Sequence, residues 1–99
     1  MLREGITVLS ETQLKKRVLQ FLKKEYPEAW IYKASDRFTA GIPDLLICIG
    51  GKFYAIELKA GNNQLTRIQQ YTLGKIQAAG GETSVCRSVE EVKEFLRRW

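Results

Sequence analysis

The chain has 99 residues, of which 44% are hydrophobic and 27% are charged, and this composition predicts one soluble globular domain over residues 1–99. Sixteen Lys and Arg against eleven Asp and Glu give a formal net charge of +5, which favours a polyanionic partner such as nucleic acid, although solubility alone also accounts for it. The absence of histidine excludes Ser-His-Asp and Cys-His catalysis. Two cysteines are too few for a zinc ribbon or a disulfide framework, so we expect a reducing cytoplasm. The longest apolar run is too short for a membrane span.

Three helices are predicted, because three capping sequences each precede apolar residues at helical spacing. Pro27 ends the first helix near Glu25, and the pair Gly80-Gly81 stops the second. The capping sequences are Ser10–Gln13, Thr66–Gln69 and Ser88–Glu91.

Four strands are predicted between the helices, at Ala29–Lys33, Leu45–Ile49, Lys52–Lys59 and Thr83–Arg87. The element order is therefore α-β-β-β-α-β-α. Apolar residues on both faces of the central strands predict an α/β fold, a mixed sheet flanked by helices on both sides. Cys48 and Cys86 lie in these apolar strands and are expected to be small core residues.

The hairpin between the central strands places three charges on one face. If Gly50-Gly51 form a two-residue turn, Asp44 lies opposite Glu57, with Cβ atoms ~4.5–5.5 Å apart. Like charges at that distance destabilise a sheet unless a cation lies between them, and Mg²⁺ is typically held by one or two carboxylates. Lys59 shares the face of Glu57, because side chains alternate along a strand. Two carboxylates and a lysine on one face predict metal-assisted phosphodiester hydrolysis.

A purely structural interpretation of these charges stays open. Asp44 follows Pro43 and has the position of a turn residue, while Glu57 and Lys59 are also compatible with a solvated pair. A three-residue turn would move Asp44 to the opposite face of the sheet and remove the argument.

The segments Gly41-Ile42-Pro43-Asp44 and Glu57-Leu58-Lys59 resemble the PD-(D/E)xK nuclease signature. Flanking residues narrow the resemblance to the VRR-NUC domain, the virus-type replication-repair nuclease. These flanking residues are Glu11, Leu65-Thr66 with Gln69, and Ala79-Gly80. The resemblance extends over the chain from about Ser10 to Trp99. The resemblance implies a restriction-endonuclease-like αβββαβ core with a C-terminal helix. It also implies cleavage of DNA that depends on Mg²⁺ or Mn²⁺.

The resemblance also implies site roles. Asp44 and Glu57 would bind the metal and Lys59 would be catalytic. Glu11 would complete the metal site from the first helix, and Gln69 would contribute from the second. Both of the latter have structural explanations as well, because a carboxylate in a first helical turn is favoured by the macrodipole and a capping-box glutamine satisfies a backbone donor.

Contacts to DNA phosphates are expected from Lys15 and Lys16 in the basic first helix and from Arg37 in the irregular stretch before Asp44. Stand-alone members of the family resemble Holliday-junction resolvases, which implies a homodimer acting on branched DNA. A phage or prophage origin would fit so small a protein, which places it in the cytoplasm of a bacterium or a phage-infected cell. Two alternatives stay open: a flap- or nick-processing nuclease with a helicase or replication partner, and a basic nucleic-acid-binding module without catalysis.

Overall fold

The computed structural model describes residues 9–34 and 40–98 of the chain. Its elements are, in chain order, α1 (Glu11–Glu25), β1 (Trp30–Lys33), β2 (Leu45–Ile49), β3 (Lys52–Leu58), α2 (Arg67–Ala78), β4 (Glu82–Cys86) and α3 (Val89–Arg97). This confirms the predicted order, the α/β class and the C-terminal helix. Arg37 and Trp99 lie outside the described residues. None of the described helices is long and apolar enough to cross a membrane.

The helices begin at the predicted capping residues. At the start of α1 and of α2, both hydrogen bonds of the capping box form. At the start of α3 the prediction is only half right. The Ser88 hydroxyl accepts a hydrogen bond from the Glu91 N–H, but Glu91 Oε1 accepts from the N–H of Arg87, at 2.7 Å, rather than from that of Ser88. The glutamate side chain thus caps the residue before the N-cap.

The sheet has the strand order β1-β2-β3-β4, with antiparallel pairs except for parallel β3 and β4. Helix α2 makes the crossover that parallel strands require. Gly50 and Gly51 have φ values of 56° and 81°, the left-handed conformation of a two-residue hairpin turn. The resulting register pairs Leu45 with Ile56 and Ile49 with Lys52, as predicted. Extended by one step beyond the start of β2, this register brings Asp44 to the position opposite Glu57.

One face of the sheet carries the hydrophobic core. Helices α1 and α3 pack on it, and the Tyr54 and Phe95 rings meet edge to face. The buried apolar side chains include Leu14, Val18, Leu22, Leu45, Ile47, Ile56, Leu58, Val92 and Leu96. Helix α2 packs on the opposite face, against β4. The expectation of helices on both sides of the sheet is therefore confirmed.

The prediction that both cysteines are core residues is right for Cys86 and wrong for Cys48. Cys86 is buried, whereas Cys48 is exposed. Cys48 points toward the face that α2 covers, but α2 lies over β4, two strands away from β2. An apolar strand sequence does not indicate which part of a face a single helix will cover.

Candidate active site

Asp44 is held in place by both of its carboxylate oxygens. Its Oδ2 accepts a hydrogen bond from the backbone N–H of Leu58 at 2.7 Å, and its Oδ1 lies 3.0 Å from Lys15 Nζ. Its backbone carbonyl accepts from the N–H of Ala34 at 2.9 Å. The first contact ties the start of β2 to the end of β3, which keeps the Asp44 carboxylate beside Glu57.

Glu57 is a buried carboxylate that is only partly satisfied. Its exposed fraction is 3%. Its Oε2 accepts a hydrogen bond from Gln69 Nε2 at 3.1 Å, while its buried Oε1 has no hydrogen-bond partner within the described ranges 9–34 and 40–98. An unpartnered buried polar atom of this kind is expensive, at about 1–3 kcal/mol. It marks a place where a further positive or proton-donating group fits.

The electrostatic environment of Glu57 favours its neutral form. Its pKa is raised to about 8, first by burial and then by the negative charge of the neighbouring Asp44 carboxylate, with a smaller contribution from Glu11. The positive charge of Lys59 acts in the opposite direction and lowers the pKa. Asp44 and Lys59 thus both lie within electrostatic range of Glu57.

Lys59 is itself nearly buried, with 8% of its surface exposed. Its backbone N–H donates to the carbonyl of Cys86 at 3.1 Å, which extends the β3–β4 pairing by one residue. The alternation of β3 therefore continues to Lys59 and places its side chain on the face of Glu57. A lysine is almost never buried without a compensating charge, and Glu57 is a carboxylate with which the Lys59 charge interacts.

Gln69 makes both of the contacts that the sequence suggested as alternatives. Its Oε1 accepts the Thr66 N–H at 2.9 Å, which closes the capping box of α2. Its Nε2 donates to Glu57 Oε2. A single amide therefore links the first turn of α2 to the buried carboxylate of β3.

Glu11 lies on the same side of the molecule, but it is more loosely attached. Asn63 Nδ2 donates to its Oε1 at 3.5 Å, and its charge is the smallest of the contributions to the pKa of Glu57. No three acidic or thiol side chains in the described part of the chain converge closely enough to form a ready three-ligand metal cluster. Asn63 was not predicted from the sequence, because no local pattern distinguishes it from an ordinary loop residue.

The residues predicted to contact DNA differ in their position relative to the site. Lys15 reaches into the site and pairs with Asp44, whereas Lys16 is exposed beside it. Glu11 and Lys15 are four residues apart in α1, so their side chains lie on the same face of the helix. This spacing is the sequence feature that indicates that Lys15 lies near Glu11. Arg37 is outside the described residues.

The loop that leads into Asp44 rests against α2 at Gly41. Gly41 has a φ of 86°, and a Cβ atom there would lie 2.7 Å from Ile68 Cγ1 and 2.9 Å from Thr72 Oγ1. Only glycine fits this close approach without strain. The glycine of the predicted motif therefore has a structural reason: it lets the segment before β2 pack on the helix that carries Gln69.

Comparisons with known proteins agree with this fold. A solved structure described as "VRR_NUC domain" is similar, at 22% identity and a TM-score of 0.69, over 85% of this chain and 95% of that one. A second, described as "VRR_NUC domain protein", has 20% identity and a TM-score of 0.79 over 95% of this chain and 90% of that one. These two likenesses show the fold. No curated protein matches the chain. The VRR-NUC domain family matches residues 4–90, and the chain therefore belongs to this family of DNA-binding nuclease modules, which generally use divalent metal ions.

Proposed function

We propose that the chain is a metal-dependent endonuclease that hydrolyses DNA phosphodiester bonds, with its site at Asp44, Glu57 and Lys59. The observation that carries the proposal is the unpartnered, buried Oε1 of Glu57 beside the Asp44 carboxylate. Two adjacent carboxylates, one of them incompletely satisfied, are an arrangement that a cation relieves.

The donor set fits a hard divalent cation such as Mg²⁺ or Mn²⁺, because it consists of carboxylate oxygens. Asp44 and Glu57 would hold it, with Glu11 in a supporting position. When bound, the cation supplies Lewis-acid polarisation of a phosphoryl oxygen and a bound water of lowered pKa. Gln69 orients Glu57 through Oε2 and leaves Oε1 available. The N–H of Leu58 holds the Asp44 carboxylate in place.

Lys59 has the position of a group that acts on the reacting phosphate. Its ammonium is close enough to Glu57 to lower the pKa of that carboxyl, and the residue as a whole is only 8% exposed. In such surroundings a fixed positive charge stabilises negative charge that develops on phosphoryl oxygens better than it does in water. We assign Lys59 this role, together with orienting the attacking water.

We further propose that the substrate is branched DNA and that the protein acts as a homodimer, in the manner of a Holliday-junction resolvase. The net charge of +5 supports binding to phosphates. A two-fold symmetric dimer suits a two-fold symmetric junction, because one interface sets both cleavage positions. On this proposal the chain is a single nuclease domain, encoded by a phage or prophage and active in the cytoplasm of the bacterial host.

The test is cleavage of a labelled four-way junction, a 5′ flap and a plain duplex with Mg²⁺, Mn²⁺ or EDTA. We expect metal-dependent, symmetric nicking of the junction by the wild type. Asp44→Asn and Lys59→Met should abolish nicking, while Lys75→Met, the same change at an exposed lysine of α2, serves as the control. Asparagine retains an oxygen for the N–H of Leu58, so Asp44→Asn removes charge without removing that hydrogen bond.

The outcomes separate the parts of the proposal. Full activity in Asp44→Asn or Lys59→Met would overturn the assigned site. Cleavage of the flap alone would overturn the junction substrate while leaving the site in place. Tight binding without cleavage under all conditions would identify a binding module, and cleavage only after a helicase is added would identify a dependent subunit.

A further inference from the structure

Asp44 has a positively charged partner that lies outside the proposed catalytic set. Lys15 Nζ lies 3.0 Å from Asp44 Oδ1, and the two side chains are 25% and 13% exposed. The other carboxylate oxygen, Oδ2, accepts the backbone N–H of Leu58 at 2.7 Å. Both oxygens of Asp44 are therefore engaged, one by a backbone group and the other by the end of a long side chain.

These two contacts of Asp44 differ in how easily they can be given up. Leu58 belongs to β3, and its pairing with Cys86 of β4 fixes its backbone. Lys15 belongs to α1 and reaches Asp44 only through its ammonium, which is carried on a flexible four-carbon chain. Lys15 is thus the partner that can leave Asp44 without any change in the backbone.

A cation at the carboxylate pair gives Lys15 a reason to leave. If Asp44 and Glu57 hold a divalent cation, the Lys15 ammonium would be a second positive charge on the same carboxylate, and the two charges repel each other. Lys15 then needs another anion. A DNA phosphate is the anion that arrives at this place, because Mg²⁺ in proteins is typically shared between carboxylates and the phosphate oxygens of a substrate.

We propose that Lys15 couples occupation of the metal site to DNA binding: it neutralises Asp44 in the protein without metal and contacts a DNA phosphate once a cation has replaced it. This coupling rests on the proposed function and adds a substrate-binding residue whose availability depends on the metal. The protein without metal therefore binds DNA with one lysine fewer at its active site.

Lys16 provides the matched comparison for Lys15. It is the next residue of α1, it is exposed, and it makes no ion pair within residues 9–34 and 40–98. Its ammonium is therefore available to DNA whether or not a cation is bound. A change of lysine to methionine removes one positive charge at either position and keeps a good helix former.

The test measures DNA binding by fluorescence anisotropy of a labelled four-way junction, in EDTA and in saturating Ca²⁺, which also takes oxygen ligands. We expect Lys15→Met to weaken binding by about three- to ten-fold in Ca²⁺ and by less than about two-fold in EDTA. It should lower the slope of log Kd against log salt concentration by about one in Ca²⁺ only. Lys16→Met should cause the same loss in both conditions, whatever its size.

Asp44→Asn provides a second arm that needs no metal. The asparagine oxygen is required by the N–H of Leu58, so its NH₂ group faces Lys15 and cannot accept from an ammonium. Lys15 is thereby released in EDTA. Adding Lys15→Met to Asp44→Asn should then weaken DNA binding in EDTA as much as Lys15→Met does alone in Ca²⁺. Circular dichroism checks that each variant folds.

The outcomes separate this coupling from the metal site itself. Equal losses from Lys15→Met in EDTA, in Ca²⁺ and in the Asp44→Asn background would overturn the coupling, as would a Lys16→Met variant with the same dependence on Ca²⁺. A wild type that responds to Ca²⁺ and cuts DNA, but shows equal losses from Lys15→Met, would keep the nuclease proposal and lose only the coupling. A wild type whose DNA affinity ignores Ca²⁺ would overturn both.

Discussion

Lys15 Nζ lies 3.0 Å from Asp44 Oδ1, so α1 provides a positive charge to a carboxylate that we propose as a metal ligand. The two side chains are 25% and 13% exposed, which shields the pair partly from solvent. The lysine offsets some of the repulsion between Asp44 and Glu57. A divalent cation that binds to Asp44 has to compete with it.

Lys15→Met should therefore tighten binding of Mn²⁺, by about three- to ten-fold, because an ion pair of this partly buried kind contributes roughly 1 kcal/mol. Isothermal titration calorimetry without DNA measures the affinity directly. Lys16→Met makes the same change of charge at the adjacent exposed position and should have a smaller effect. Unchanged or weaker Mn²⁺ binding in Lys15→Met would show that the lysine does not compete with the metal.

The raised pKa of Glu57 predicts a pH-dependent stability in the absence of metal. Because the pKa is about 8 in the folded protein against 4.5 ordinarily, the folded state binds more protons than the unfolded state between these values. The contribution to stability is complete below pH 4.5 and is lost as the pH rises through 8. We expect the free energy of unfolding to fall between about pH 6 and 8, by at most about 1.4 kcal/mol per unit.

Denaturant unfolding in EDTA at several pH values tests this expectation. Glu57→Gln should flatten the profile in this range, whereas Glu94→Gln, a change at an exposed glutamate of α3, should leave the slope as it is in the wild type. A wild-type profile that is already flat between pH 6 and 8 would contradict the assignment.

Thr66 and Gln69 allow helix capping to be separated from support of the site. Thr66→Ala removes the acceptor for the Gln69 N–H and should lower stability by about 1 kcal/mol with cleavage retained. Gln69→Ala leaves the Thr66 cap in place but removes the acceptor for the Thr66 N–H and the hydrogen bond to Glu57, so cleavage should fall by about 10- to 100-fold. Thermal unfolding and kcat are measured for both variants. Equal losses of kcat would mean that only the helix start matters.

Gly41 and Gly50 both have positive φ, but only Gly41 faces a neighbouring side chain within 4 Å. Gly50→Ala should cost about 1–2 kcal/mol from backbone strain and leave cleavage intact. Gly41→Ala adds contacts with Ile68 and Thr72, so it should destabilise the protein further and reduce cleavage by moving the Asp44 loop from α2. Chemical denaturation and the nicking assay measure the two effects. Identical behaviour of the variants would argue against a link between this loop and the site.

The elements and the relative placement of three charges were predictable because their causes are local. Helix starts are set by a side chain and a backbone group three residues apart, as at Ser10 and Thr66. The turn at Gly50-Gly51 fixes the hairpin register, and strand alternation then places Asp44, Glu57 and Lys59 on one side. The family resemblance supplied the expected roles of these residues, which remain predictions.

What the tertiary structure alone decided depends on contacts between distant segments. The pairing of Lys15 with Asp44, and of Gln69 with Glu57, requires α1 and α2 to pack at particular places on the sheet. The pKa of Glu57 follows from burial, which no local pattern specifies. Cys48 is exposed because one helix covers the β4 side of its face, and hydrophobic alternation cannot distinguish a covered row from an uncovered one. The sequence thus determines which side chains share a face, while packing determines which of them are buried, paired or left for a partner.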